Sequence, residues 1–366
     1  MGVALDEEFT RITTTIVSVH ESVDGTVKFL IKLQDGHEVE AVIIDHTGRL
    51  TLCVSSQVGC RMGCTFCATG TLGLSGNLLA GEILEQIWHA NAYLSDSGRK
   101  ITNIVFMGMG EPLENYENVV SAIRGFIDPH RFAIGDTNIT VSTVGLISNI
   151  YRLMEDCPSV NLALSLHAPT QAIRELIVPS ATAYPLPELM KAVDYYNKNQ
   201  KFKGKRKGNV MMEYVVIKNV NDSPECAHAL GKLLYKRKCM VNLIPYNPFQ
   251  GNAFEEPTEE SVQIMSEIIS SYQVVTIIRK HHGRDIAGAC GQLAKISNDL
   301  EDLVQDTVLG VDLSETKKSN SPSEILNKQE YENPMSESVE FKNKLVGPVI
   351  LITLIALAVI IARRNS

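Results

Sequence analysis

The start of the chain lacks every common address. Met1-Gly-Val-Ala-Leu-Asp6 has no basic stretch leading into an apolar one, no Arg-rich transit pattern, and Asp6 stands where a myristoylation signal wants Ser or Thr. Secretion is therefore not expected. Eight cysteines do not revive it, because three of them crowd into one short stretch, Cys60 to Cys67, rather than spreading as a disulfide framework. A reducing compartment, cytoplasmic or organellar, fits better. Aromatics are sparse at 6%, with Trp88 the lone tryptophan, and no repeat of fixed period is present. A positive balance is missing too: the net charge is −8, which at first argues against a polyanionic partner. That acidity is unevenly placed. Residues 297–345 carry 11 acids against 5 bases, and residues 1–296 keep only −4. Within them Lys201-Phe-Lys-Gly-Lys-Arg-Lys207 puts five bases in seven residues, either a phosphate contact or a solvated loop.

With 366 residues and 44% apolar content, the chain can bury one large α/β core or two ordinary domains. Residues 10–55 alternate apolar and polar positions, as in Val27-Lys-Phe-Leu-Ile-Lys-Leu33, and are broken by Asp24-Gly25 and Asp35-Gly36. They read as hairpin strands. From residue 78 the period changes. Short apolar strands at 101–107, 138–142, 160–166, 210–216, 240–244 and 274–278 alternate with amphipathic helices at 80–93, 118–126, 186–196, 224–234 and 258–271. Such alternation predicts a parallel sheet, and six units predict an α/β fold shaped as a partial (β/α)6 barrel. The expected organisation is an N-terminal β-strand segment at 1–55, a catalytic barrel at 56–296, a disordered acidic linker at 297–344 and a C-terminal transmembrane anchor at 345–366. Residues 345–362 are 18 positions without a charge, enough for a helix of about 27 Å, with Lys342 and Lys344 before them and Arg363 and Arg364 after.

The chemistry concentrates in Cys60-Arg-Met-Gly-Cys64-Thr-Phe-Cys67. Three thiolates in C-x3-C-x2-C spacing bind three irons of a 4Fe-4S cube and leave the fourth open to a small molecule. Zinc is the competing metal; it wants a fourth protein ligand, for which Cys53 and His46 are the nearest candidates. Further blocks begin at or just beyond the ends of predicted strands: Met107-Gly-Met-Gly-Glu-Pro-Leu113, Val141-Ser-Thr-Val-Gly145, Leu164-Ser-Leu-His-Ala-Pro169, Leu243-Ile-Pro-Tyr-Asn-Pro248 and Asp285-Ile-Ala-Gly-Ala-Cys-Gly-Gln-Leu293. Parallel α/β folds gather their ligands there. Glu111 can accept from an amino group, and Cys290, between small residues, reads as an exposed nucleophile. Alone, each block is also compatible with a turn or a cap.

These blocks, with Leu52-Cys-Val-Ser-Ser-Gln-Val-Gly-Cys60 before them, resemble the radical S-adenosylmethionine (SAM) RNA methyltransferases that methylate adenosine at C2, the RlmN family, dual-specificity enzymes of 23S rRNA and tRNA. The resemblance runs from about residue 10 to 296. It implies that Cys60, Cys64 and Cys67 hold one 4Fe-4S cluster and that Gly110, Glu111, Ser142, Ser165, Leu166, His167 and Asn247 bind SAM. It implies further that Cys290 takes a methyl group from one SAM, that a second SAM is the radical source, that Cys53 resolves the covalent RNA adduct through a disulfide, and that Glu40 removes the C2 proton. RNA and an external electron donor are then the partners, with a membrane joined through the C-terminal segment and a monomeric body. Cys157, Cys226 and Cys239 match no motif and read as structural, whereas Arg279, Lys280, His281 and His282 read as phosphate contacts.

Two departures qualify that reading. Family members commonly begin with a helical accessory domain that grips RNA, and this chain starts almost at the strand segment; the second departure is the expected C-terminal anchor, which would tether the catalytic body to a membrane. His282 also stands where the family often has arginine before the position of Gly283. A membrane-attached, SAM-binding iron-sulfur protein without RNA methylation and a C8-methylating relative are the competing functions.

Overall fold

The computed structural model describes residues 12–46, 48–201 and 209–293, all within the first of the two units into which the chain divides, Met1–Asp312. The basic residues 202–207, the acidic segment 297–344 and the apolar segment 345–362 lie outside the described residues. Among those described, no helix is long and apolar enough to cross a membrane.

The alternating N-terminal runs form an antiparallel meander of β1 (Thr15–Glu21), β2 (Val27–Lys32), β3 (Glu38–His46) and β4 (Arg49–Cys53). Two of its turns fall at the two Asp-Gly pairs, where Gly25 and Gly36 take φ of +84° and +89° that a side chain would resist. β1 is an edge strand with a register shift between Ile16 and Ser18, and its Ile16, Val17 and Val19 stay exposed. β3 is the opposite case, buried from Val39 to Ile44 on both faces.

β4 then changes partner type. It pairs parallel with β7 (Asn103–Phe106), which begins a run through β8 (Ile139–Thr143), β9 (Asn161–Ser165), β10 (Val210–Val216), β11 (Cys239–Pro245) and β12 (Val275–Ile278). All six strands read from the apolar runs are present. A seventh parallel strand, β4, had been counted with the meander. No break in the sheet separates the two regions: ten strands run in the order β1-β2-β3-β4-β7-β8-β9-β10-β11-β12. Spatial order follows chain order, which is the barrel pattern and not the reversal of a doubly wound sheet. The array stays open, because β1 and β12 are its two edges.

Among the described residues the α-helices are α1 (Ala68–Thr71), α2 (Ala80–Tyr93), α3 (Tyr116–Ile127), α4 (Ile147–Asp156), α5 (Gln171–Ile177), α6 (Leu186–Asn199), α7 (Pro224–Leu234) and α8 (Glu259–Ser271). Their starts are chemically marked: Glu82 accepts from Leu79 N, Ser223 from Cys226 N ahead of Pro224, and Thr258 from Ser261 N. α4 and α5 escaped the sequence reading. α4 buries only Ile150, Leu153 and Met154, and α5 is barely two turns. With α2 and β5 (Gln57–Cys60) and β6 (Gly73–Asn77) inserted after β4, every parallel strand delivers its C-terminal end to one side of the molecule.

Candidate active site

The cysteine loop is built on a hairpin separate from the main sheet. Cys60 closes β5, Cys64 lies in the loop and Cys67 precedes α1. Glycine is required at two places. Gly59 has φ +76° and a Cβ there would stand 1.9 Å from Gly73 O; one on Gly70 would come within 2.8 Å of Cys64 O. Cys67 N donates to Cys64 O and Gly70 N to Cys67 O, so the backbone wraps inward. Burial pushes the Cys60 thiol up to about 12, raises Cys64 well above its usual range and raises Cys67. Cys67 raises both Cys60 and Cys64, Cys60 also raises Cys64, and Cys67 is itself raised by Cys290, as negative charges in close company do. Bound metal reverses this logic by holding thiolates outright.

Among the described residues, no three His, Cys, Asp or Glu side chains converge tightly enough for a single ion. The trio faces a cavity of about 920 Å³ that neither Cys53 nor His46 lines. Three sulfurs on one wall, with neither of the fourth ligands that the sequence offered for zinc, suit a cube better than a tetrahedral zinc.

The opposite walls are the strand ends. Gly110, Glu111, Ser142, Ser165, His167 and Asn247 all line this cavity with the cysteine trio and Cys290. Leu166 does not: it is fully buried, and its carbonyl accepts from Arg174 Nε at 3.1 Å. Gly110, at φ +101°, lets the chain pass against Gln57, whose Cβ a side chain would meet at 2.5 Å. That approach puts Gln57 Oε1 on Glu111 N at 2.8 Å. Glu111 is buried, accepts from Val144 N and Leu113 N, and burial pushes its carboxyl up to about 7. It is poised for a cation. His167 takes φ +57°, unusual for a side chain of its size, and Val215 N donates to its Nδ1 at 3.0 Å. The proton therefore sits on Nε2. Burial first and the Arg174 charge second bring its pKa down to about 3, so the ring is neutral. Ser142 Oγ and Ser165 Oγ lie 3.3 Å apart.

Arg174 went unnoticed in the sequence and organises this wall. Fully buried, it donates to the carbonyls of Leu166, Val144 and Ser165, tying the loops after β8 and β9 together. Its only sequence signal is a lone arginine on an otherwise apolar helix face.

Cys290 is half-buried rather than exposed, and its segment is tied on both sides. Asn247 Nδ2 donates to Cys290 O at 3.2 Å, Ala68 N to Gly291 O at 2.7 Å, and Thr69 Oγ1 to Leu293 O. Two of these tethers come from α1, the helix that follows Cys67. A second cavity, of about 470 Å³, is lined by both Cys53 and Cys290 together with Val42, Ile44 and Arg279. Cys53 ends β4, and burial pushes its thiol up to about 12, further raised by Cys290 and opposed by the Arg279 charge.

Glu40 lies on the face of β3 that Val42 and Ile44 share, next in line toward the Cys290 segment. Its carboxylate meets Lys28 Nζ at 2.9 Å, both side chains almost wholly buried, and Lys28 also reaches Ala287 O. Glu40 itself lines none of these cavities.

The phosphate-contact reading of residues 279–282 needs correction. Arg279 turns inward, lining both cavities, and its charge is drawn to Cys290 first, then Glu213 and Cys53. His281 is bonded to Asn247 Oδ1 and faces Glu256; His282 is bonded to Asp24 and stacks edge-on with His46. Lys280 alone stays exposed. Cys157, Cys226 and Cys239 are buried and line none of the cavities named here.

The sequence pattern of the Radical SAM superfamily matches residues 54–228. The chain is 45% identical over 280 residues, 76% of each partner, to the probable dual-specificity RNA methyltransferase RlmN 2 of Protochlamydia amoebophila (strain UWE25). It is 43% identical over 289 residues, 78% of this chain and 79% of the relative, to the dual-specificity RNA methyltransferase RlmN 1 of Myxococcus xanthus (strain DK1622). A crystal structure of a radical SAM methyltransferase from Sphaerobacter thermophilus superposes with a TM-score of 0.76 at 39% identity, covering 80% of this chain and 84% of that one.

Proposed function

This chain belongs to the RlmN family of radical SAM RNA methyltransferases, and from that premise we propose that it methylates C2 of an adenosine in rRNA, tRNA or both through an S-methylcysteine on Cys290. One observation carries the proposal: Cys53 and Cys290, remote in sequence, line one cavity wall, and Cys290 also faces the cysteine trio. A bystander iron-sulfur protein needs neither.

C2 of adenine is electron-poor, so a methyl cation cannot be delivered to it directly. Cys290 instead accepts the methyl group of one SAM: its sulfur forms the new S–C bond as the sulfonium carbon bond breaks, and the electron pair leaves with S-adenosylhomocysteine. Glu111 binds the SAM ammonium, and His167 Nε2–H, Ser142 and Ser165 offer donors along the same wall. When bound at Cys60, Cys64 and Cys67, the cluster supplies the electron that cleaves a second SAM to the radical that activates the Cys290 methyl group.

Once the Cys290 methylene radical has added to C2, Glu40 accepts the C2 proton and the surplus electron would return to the one-electron centre that Cys60, Cys64 and Cys67 would hold, leaving a closed-shell Cys290–CH2–adenine adduct. Cys53 attacks the Cys290 sulfur, the S–CH2 bond breaks with its electron pair on carbon, and protonation of that carbon leaves a methyl group on adenine. An external dithiol then returns the Cys53–Cys290 disulfide to two thiols. Arg279 is the local cation that offsets the cost of a thiolate on this wall.

RNA needs a basic landing surface, for which the ends of α6 and α7 are suited: Lys198, Lys232, Lys236 and Lys238 line a groove open to solvent there, while Arg237 in the same groove is paired with Asp194. The sequence run 345–362 is proposed as a membrane anchor on its length and lack of charge.

Anaerobically reconstituted protein with reductant and SAM is expected to form 2-methyladenosine in RNA from cells lacking the enzyme, read by mass spectrometry of the digest. Cys290→Ala should form none. Wild-type levels of product from that variant would overturn the mechanism, and an 8-methyladenosine product would transfer the chain to the C8 branch.

A further inference from the structure

Below the active-site cavity lie two acceptor oxygens without a hydrogen-bond partner among the described residues. Glu213 of β10 and Asn242 of β11 stand opposite each other in register, and Asn242 Nδ2 donates to Glu213 Oε2 at 2.8 Å. This bond fixes both side chains. It leaves Glu213 Oε1 and Asn242 Oδ1 buried without a hydrogen-bond partner among the described residues. The two residues are only 3% and 6% exposed, so bulk water does not serve them. Two such atoms side by side on a cavity wall call for a donor to complete them, an enclosed water or the hydrogens of a ligand.

Their position says which ligand. Both line a lower chamber of about 1160 Å³ inside the open barrel, and Glu213 also lines the upper cavity that holds Cys290. Arg279 lines both chambers and stands electrostatically between Cys290 and Glu213. Moving down from the reactive sulfur, a flat guest therefore meets a donor, Arg279, and then two acceptors. The Watson–Crick edge of adenine has the matching order: C2–H, then the N1 acceptor, then the N6 amine with two hydrogens. Guanine reverses it, presenting an N1–H to Arg279 and O6 to the two bare oxygens.

We propose that Glu213 and Asn242 form the subsite that reads the acceptor base as adenine: their free oxygens take the hydrogens of the N6 amine, Arg279 donates to N1, and C2 is thereby presented to Cys290. The inference rests on the C2-methylation reading above. Glu213 and Asn242 touch the base in this arrangement and set specificity; they take no part in bond making.

The test uses synthetic stem-loop RNAs spanning the adenosine found methylated in cellular RNA, carrying at that position either adenosine or purine riboside, which lacks only the amine. Wild-type enzyme is expected to lose about ten- to a hundred-fold in kcat/KM on the purine riboside RNA. Glu213→Ala and Asn242→Ala are expected to lose a similar factor on adenosine and to treat the two RNAs alike, while Glu213→Gln, which keeps an acceptor oxygen, recovers part of the preference. Transfer of the methyl group from SAM to Cys290, measured without RNA by intact-protein mass, should persist in all three. Equal wild-type rates on the two RNAs would overturn the proposal, as would variants that keep the wild-type preference. Loss of Cys290 methylation in a variant that still binds its cluster would overturn it as well, by assigning the oxygens to SAM. Failure of the wild type on every adenosine RNA would instead sink the methylation reading itself.

Discussion

Two sets of cysteines share this active site, and they were assembled in different ways. Cys60, Cys64 and Cys67 come from one loop whose shape is written locally, by Gly59 and Gly70 and by backbone bonds within the loop. Cys53 and Cys290 come from the end of β4 and from the segment after β12, and they meet only because the sheet curls. All three loop thiols and Cys53 are pushed up by burial. Their charged neighbours differ: Cys60 and Cys64 face other loop thiols and Glu111, Cys67 faces Cys290, and Cys53 alone faces the Arg279 cation as well as Cys290. The roles proposed for them, metal ligand in one place and redox reagent in the other, follow what is packed against each.

Breaking each set separately should give opposite failures. Cys64→Ser is expected to lose the cluster absorbance near 400 nm and all RNA methylation, while still carrying intact Cys53 and Cys290. Cys53→Ala should keep the cluster and the methylated Cys290 but accumulate a covalent protein–RNA adduct, visible as a shifted band in a denaturing gel. Free methylated RNA at wild-type rates from Cys53→Ala would erase the distinction.

A backbone change sharpens the contrast next. Gly59→Ala must relieve a Cβ placed 1.9 Å from Gly73 O at a φ of +76°, so the hairpin has to open. A loss of about 2–4 kcal/mol in stability is expected by denaturant titration. Iron content should fall with it, and the reactivity of Cys290 toward SAM should fall less than iron does.

On the Cys53 side, Lys28→Met removes the ammonium 2.9 Å from Glu40 while leaving the cysteine loop alone. Turnover on RNA is expected to drop about ten-fold, with a changed pH profile, because a buried carboxylate without its cation favours the protonated, non-basic form. Cluster content and Cys290 methylation should be unchanged. An unaltered pH profile would remove Glu40 from the role of base.

The smallest effect concerns Glu111, which belongs to neither set. Its carboxyl is raised from 4.5 to about 7, so the ionised form prevails above that pH and the neutral form below. In the protein without SAM, burial of this group costs nothing below pH 4.5 and its full amount above about 7. The ammonium of SAM offsets that cost only when the carboxylate is charged. SAM affinity is therefore expected to fall several-fold as pH drops through 7, by isothermal titration, and Glu111→Gln should bind more weakly and lose this pH dependence.

Much of this molecule was legible before folding. The period-2 alternation of Val27 to Leu33 gave β2, and the amphipathic runs gave α2 and α7 to the residue, since capping by Glu82 and by Ser223 with Pro224 fixes where a helix starts. The cysteine loop was legible because its ligands lie within one turn-rich segment. What escaped was whatever depends on a partner from another strand. Arg174 reads as a surface arginine until three loop carbonyls close around it. Arg279 reads as a phosphate contact until β12 turns it inward. Leu166, placed in the SAM motif by resemblance, turns out to contribute a backbone carbonyl to Arg174 rather than a cavity wall.

Sequence alone determined most of the elements and the spacing of the cysteine loop, because both follow from short-range periods, turns and spacings that neighbouring residues fix among themselves. Tertiary structure alone decided that β4 ends one sheet region and begins the other, that Cys53 lies with Cys290, and that Glu213 and Asn242 keep two oxygens bare beneath them. Those facts depend on which strands lie side by side and how the open barrel curls, and no local pattern encodes a distance between residues that meet only when the whole sheet has closed around its core.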